Sequence, residues 1–361
     1  MDKPKIPHMP TFQLDIEKLD IRPGDFDAAE ASDKESLVIL RDSVGFWKEG
    51  LSRLRRNPIA MISLVFVIIF LIGAFVVPEI YPYSYEHMDK LSPHLYPMQY
   101  SAAEEELRAA GEFVFPHIMG TDALGRDTMI RLLMGSRISL LVGIVAGTII
   151  LVIGSIYGAV AGYFGGRVDT VMMRIVDIIY SVPDILIIII LQVTLKFPLT
   201  RLAESVSVFA WINKVGVSLI SIFIVFALLY WVGMARIVRG QILSLKQQEF
   251  VTAAKALGAS NGRIIRRHLL TNCIGTLIVT TTLQIPSSIF TESFLSFIGI
   301  GVAAPMPSLG SLASDAMDGV TTYPHRLLSA AIWISLIILS FNLLGDGLRD
   351  AFDPRLKKDK S

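Results

Sequence analysis

The chain has 361 residues, 52% of them hydrophobic and 18% charged, with a formal net charge of +1. Its mean hydropathy of +0.56 is more apolar than an ordinary soluble domain, and so small a net charge offers no general field for nucleic acid. One cysteine, Cys273, excludes an internal disulfide and any multi-cysteine metal site, and six scattered histidines form no metal-binding motif.

Residues 1–45 are polar and acid-rich, which reads as a mobile or loosely docked cytoplasmic arm. Residues 46–77 follow as an interfacial helix, "WKEGLSRLRRNP", with Arg53, Arg55 and Arg56 at the headgroups, and a first apolar run. Six runs reach the roughly 20 residues that a membrane helix needs: 59–77, 138–162, 171–195, 217–237, 273–300 and 327–344. The first lacks a small-residue cleavage site and follows a long polar segment, so it is an anchor and not a signal peptide. The fold class expected is an all-α membrane protein with six transmembrane helices.

Residues 78–137 form the longest segment on the opposite side from the termini, long enough for a small structured cap but not for an independent enzyme domain. Within it, "GTDALGRD" (120–127) has two glycines at phosphate-loop spacing. However, Arg126 and Asp127 stand where Lys and Ser/Thr are required. Nucleotide binding is therefore not expected, and whatever energy drives this protein is not captured by this chain.

Residues 138–346 carry five further crossings. Asp177, one turn from Arg174, is expected to pair with it near the inner surface. Asp184 and Glu292 lie deeper, where an ionisable group is a functional candidate by default; a hydrogen-bonded helix contact is the alternative for each. The fifth run, "TNCIGTLIVTTTLQIPSSIFTESFLSFIG", is the most polar. Pro286 interrupts its backbone bonding, and Thr281, Gln284, Ser288 and Glu292 are its candidates for a water-lined path.

The loop 236–271 separates the fourth and fifth crossings. Phe250, Ala253, Ala254 and Leu257 follow i, i+3, i+4, i+7, one face of a helix. Gly258 is placed as the left-handed residue that ends it, and Ser260 as the cap of the next helix. That face is built largely of alanine, which inserts weakly into lipid but lets a protein surface approach closely, so docking to a partner is expected. Residues 347–361 close the chain as a basic tail. With the termini inside, the inner segments hold 19 lysines and arginines and the outer ones 9, which puts both termini and this loop in the cytoplasm.

"TAAKALG", nine residues, then His268 and Leu270 resembles the cytoplasmic signature of ATP-binding-cassette importer permeases. Ala253, Ala254, Gly258 and Leu270 match it, while Thr252, His268 and Thr271 replace its Glu, Ile and Pro. "GTDALGRDTMIRLLMGSRISLLVG", "GYFGGRVDTVMMRIVDIIYSVPDIL", "ESFLSFIGIG" and "FNLLGDGLRDAFDPRLK" are similar to the second permease subunit of oligopeptide/dipeptide importers. The resemblance implies a type I, binding-protein-dependent importer permease in a prokaryotic plasma membrane. It also implies a second permease as partner, two ATPase subunits that bind ATP and magnesium, and an extracytoplasmic protein that delivers peptide. Phe250, Thr252, Ala253, Ala254, Leu257, Gly258 and Ala259 would then couple the pore to the ATPases. This chain would hold no cofactor, metal or catalytic residue. Nickel or another small solute is the alternative cargo, and a secondary transporter the alternative class.

Overall fold

The computed structural model describes residues 45–302 and 306–352, so the acidic arm and most of the basic tail lie outside the described residues. The described residues from 47 on belong to one compact unit, which carries the long apolar helices. Among the described residues there is no strand, only two isolated bridges, Gln99 to His117 and Thr121 to Asp127.

Helix α1 (Phe46–Arg56) is amphipathic, with Gly50 and Leu54 inward and Arg53, Arg55 and Arg56 in its last turn. Asn57 then caps α2 (Pro58–Phe75), its side chain accepting the Ala60 N–H at 3.2 Å, and Pro58 occupies the first helical position, where its missing N–H costs nothing. In the following segment α3 (Ala102–Ala109) opens with a reciprocal capping box between Ser101 and Glu104.

The glycine-spaced loop 120–127 is held by its own carboxylates. Asp122 accepts the Leu124 and Arg126 N–H groups at 2.8 and 2.9 Å, and pairs with Arg126 at 2.7 Å and Arg131 at 2.5 Å. Burial alone would raise the Asp122 carboxyl, but the Arg131 charge, with Arg126, holds it below the ordinary carboxylate range. Asp127 bonds His117 Nδ1 at 2.7 Å and caps α4 (Thr128–Phe164) by accepting the Ile130 N–H at 2.9 Å.

The third crossing differs from its apolar run. The run 171–195 is interrupted at residues 181–183, giving α5 (Gly166–Tyr180) and α6 (Asp184–Ser205). Hydropathy passes smoothly through "SVP", yet Pro183 disfavours a helical Val182, so the crossing is broken near the middle of its apolar run and continues from α5 into α6. The fourth crossing is a pair, α7 (Val217–Leu229) and α8 (Trp231–Leu245), forming one 29-residue apolar stretch. Then come α9 (Glu249–Ala256), α10 (Ile274–Phe297), α11 (Leu309–Asp315) and α12 (Pro324–Phe352). Among the described residues six helical stretches, α2, α4, α6, α7 with α8, α10 and α12, are long and apolar enough to cross a membrane.

Helix α4 is the centre of the fold. Gly154, Gly158 and Gly162 recur every fourth residue and let α8 lie directly on it. A β-carbon at Gly154 would stand 2.6 Å from Met234 Cβ, one at Gly162 would stand 2.9 Å from Arg239 O, and one at Gly158 would collide with Ala235 O. Small residues at this spacing are how membrane helices reach backbone contact. The same helix turns Gly143 to Ile289 and Gly147 to Ile285 of α10.

Candidate functional site

Two features stand out: the elbow at 249–270 and a cavity at the break between α5 and α6. In the elbow, α9 ends in a Schellman turn. Gly258 sits at φ +78°, the Ala259 N–H bonds Ala254 O at 3.0 Å, and the Gly258 N–H bonds Lys255 O at 2.9 Å. Ser260 occupies the start of the next helical turn, but its side chain makes no capping bond; the Ile264 N–H is satisfied by Ser260 O at 3.0 Å instead. A π-helical turn, Ile264–Leu269, leads back to α10.

The elbow is fixed to the core by an apolar stripe that the sequence pattern does not single out. Val251, Ala254, Ile264 and Leu269 are buried with Ile150 and Ala159 of α4 and Met234, Val238 and Ile242 of α8. Tyr163 Oη adds a bond to Asn261 Oδ1 at 2.7 Å, and Lys255 lies over the Tyr163 ring. Ala254 therefore belongs to the inward face, apart from the exposed Ala253. Phe250, Thr252, Ala253 and Gly258 are exposed, Ala259 is half-buried, and Leu257 is 88% exposed. The outward apolar stripe is Phe250, Ala253 and Leu257, at i, i+3, i+7. In an eight-residue helix two apolar stripes overlap in periodicity, and only packing distinguishes them.

Beneath α8, ion pairs hold α5. Asp169 receives Arg239 at 2.5 and 2.6 Å, and these bonds, which outweigh desolvation, lower the Asp169 pKa. Asp177 pairs with Arg236 at 2.9 Å, not with Arg174, and Arg236 stacks on the Tyr180 ring. A neighbouring helix brings a cation closer than the next turn of the same helix does.

Helix α10 has two polar stripes. Thr281, Ser288 and Glu292 face α4. Glu292 and Ser288 are fully buried, Thr281 lies beside Gly147, and the Thr281 and Ser288 hydroxyls find no partner among the described residues. Glu292 accepts Ser139 Oγ of α4 and Ser296 Oγ, each at 2.7 Å, so it is a helix contact. On the other stripe Gln284, Ser287 and Thr291 line a cavity of about 930 Å³, bounded also by Tyr180, Asp184 and Asn342. Of the four path candidates read from the sequence, only Gln284 reaches this space. At 100° per residue 281, 288 and 292 lie only about 40–80° round the helix from 284, so the period alone does not part the two stripes; packing against α4 does. Ser287, Thr291 and Tyr230, whose Oη lies 2.8 Å from Thr291 Oγ1, line it as well.

Known proteins share this chain's pattern. Residues 154–358 match the family described as binding-protein-dependent transport system inner membrane component. Residues 45–100 match the N-terminal transmembrane domain of oligopeptide transport permease C. The oligopeptide transport system permease protein OppC of Bacillus subtilis is 38% identical, over 92% of this chain and 96% of its own length. The dipeptide transport system permease protein DppC of the same organism is 41% identical over 91% and 92%. An oligopeptide permease OppC of Haemophilus influenzae is 38% identical over 86% and 88%.

Proposed function

The chain belongs to the binding-protein-dependent inner membrane components, the permeases of ATP-binding-cassette importers, in their oligopeptide/dipeptide branch, and from that premise we propose that it carries peptides into the cytoplasm as one half of a pore. A second permease forms the other half, an extracytoplasmic protein delivers the peptide, and two separate ATPase subunits supply the energy. Both termini and the 249–270 elbow face the cytoplasm. Gln284, Ser287 and Thr291, not Ser288 or Glu292, form this chain's share of the path. The chain itself binds no ATP and has no catalytic residue.

The observation that carries this reading is the two-sided elbow. Its outer stripe, Phe250, Ala253 and Leu257, is free to enter a groove in another protein. Its inner stripe, Val251 and Ala254, is buried against α4 and α8, the helices whose glycine contacts leave least slack. A close-packed interior transmits displacement and does not absorb it, so movement of the elbow moves the bundle.

Cysteine placed at Ala253 or Leu257, with buried Cys273 first replaced, is expected to cross-link to an ATPase subunit with a yield that changes with nucleotide. Cysteine at Ala254 is expected to react far less. Cross-linking to no ATPase, or saturable ATP binding by the isolated chain, would overturn the assignment.

A further inference from the structure

The break between α5 and α6 lies at a telling depth. Its cavity is bounded by Tyr230 at the joint of α7 and α8, by Gln284 and Ser287 of α10, and by Ile338 and Asn342 of α12. These positions are near the midpoints of Val217–Leu245, Ile274–Phe297 and Pro324–Phe352. The first residue of α6, Asp184, therefore stands near the middle of the membrane and not at its surface.

Asp184 is exposed to this space. Among the described residues its one hydrogen bond is from the adjacent Ile185 N–H at 2.8 Å, and no cation pairs with it. Arg236, near the rim on Tyr180, is already engaged by Asp177. The other polar side chains bounding the cavity, those of Ser181, Gln284, Ser287, Thr291, Asn342 and the two tyrosines, are uncharged. The cavity is thus a polar space with a single, uncompensated negative charge. Its volume of about 930 Å³ falls within the roughly 300–1,000 Å³ of sites that enclose a small ligand.

An acid at this depth normally has a partner. We infer that the partner is the cargo: Asp184 receives the N-terminal ammonium of the peptide in transit. An ammonium offers three donors; the carboxylate takes one with charge assistance, and the Gln284 and Asn342 carbonyl oxygens and the tyrosine hydroxyls around it can accept the others. Charge also suits the transport task. A station of this kind lowers the barrier for moving a cationic end through the middle of the bilayer, and holds it by one charged contact, from which it can be released.

This inference rests on the cavity lying on the transport path, and the test separates the two. With Cys273→Ala as background, Ser287→Cys in the assembled, reconstituted complex is treated with aminoethyl methanethiosulfonate (cationic) and sulfonatoethyl methanethiosulfonate (anionic). With Asp184 present the cationic reagent should be favoured. In Asp184→Asn the cation-to-anion rate ratio should fall at least about fivefold, as expected for removal of a unit charge at close range. Asp184→Glu should keep the ratio. Trialanine should slow modification of the Asp184 protein, and N-acetyl-trialanine should not. A thiol inert to both reagents would remove this face from the path and overturn both readings. A reactive thiol whose ratio ignores Asp184, as it would if the second permease supplied a cation, overturns only the inference. So does equal protection by the two peptides.

Discussion

Helices α4 and α6 are both long and apolar, yet 56% of the most apolar window of α4 is buried in this chain and only 11% of that of α6. The sequences explain the difference. Glycine recurs every fourth residue along the second half of α4, so backbones meet; "DILIIIILQV" in α6 has only bulky side chains and no such groove. Charges follow the same division. Beside α4, Glu292 is satisfied by two serine hydroxyls and Asp122 by Arg131, whereas at the head of α6 Asp184 has, among the described residues, only an adjacent N–H. The α4 side is a settled scaffold attached to the elbow, and the α6 side is open in this chain, which suits the second permease and the cargo proposed above.

The largest expected effect tests the scaffold. A β-carbon at Gly158 meets the Ala235 carbonyl oxygen and the Arg239 N, both backbone atoms that no rotamer change can move. Gly158→Leu should exceed the about 1–3 kcal/mol typical of overpacking, so that little assembled protein reaches the membrane. Normal levels with an unshifted thermal midpoint would break the comparison at its stronger half.

The buried acid comes next. Glu292→Ala removes the acceptor for Ser139 and Ser296 and leaves a hole, at a cost of about 2–5 kcal/mol in the thermal stability of the purified complex. Glu292→Gln preserves the shape, and the serine hydroxyls can turn to match it, so it should stay within about 1 kcal/mol of the parent and keep most peptide uptake. Loss of uptake with normal assembly would give the charge itself a role and favour a secondary transporter.

Much of this division was legible in the sequence, but not all. The six crossings follow from length and hydropathy alone. The break in the third does not, because Ser181, Val182 and Pro183 sit inside an unbroken apolar run and hydropathy carries no backbone information. The spacing of Gly154, Gly158 and Gly162 is a readable signal for close helix contact, but its partner surface on α8 cannot be named without the fold. Spacing puts Ala254 outward with Ala253 because two alanines 100° apart share one apolar arc; burial of Val251 with Ile264 decides which of them faces in. Likewise Arg236 reaches Asp177 from another helix, a contact that no spacing along the chain can reveal.

A smaller effect on stability but a large one on function is expected at the elbow. Gly258 sits at φ +78° with nothing within 4 Å of where a β-carbon would be, so the cost of Gly258→Val is backbone strain alone, roughly 1–2 kcal/mol. That should leave membrane levels near normal. The Schellman turn would nevertheless open, shifting the Phe250–Ala253–Leu257 stripe relative to the anchored Val251 and Ala254. Peptide uptake should be lost, and ATP hydrolysis by the complex should no longer respond to peptide delivery. Normal, coupled transport in this variant would mean that the elbow angle is not what joins the scaffold to the ATPases.

The smallest effect sharpens the comparison most, because it uses one chemical change on both sides. Gly158→Ala and Gly233→Ala each add a single methyl group within a helix. At Gly158 that methyl would overlap Ala235 O, so α4 and α8 must separate. At Gly233, on the cavity side of α8, nothing lies within 4 Å of the added carbon. There the loss of glycine's backbone freedom should stabilise the helix by about 0.5–1 kcal/mol. The two thermal midpoints of the purified complex should therefore move in opposite directions, down for Gly158→Ala and slightly up for Gly233→Ala. Uptake in the second variant should persist, since one methyl group occupies little of a cavity of about 930 Å³. A fall in both midpoints would show that α8 is packed on each side in the assembled transporter, with the second permease closing on Gly233, and the open face of this chain would then be an interface and not a path.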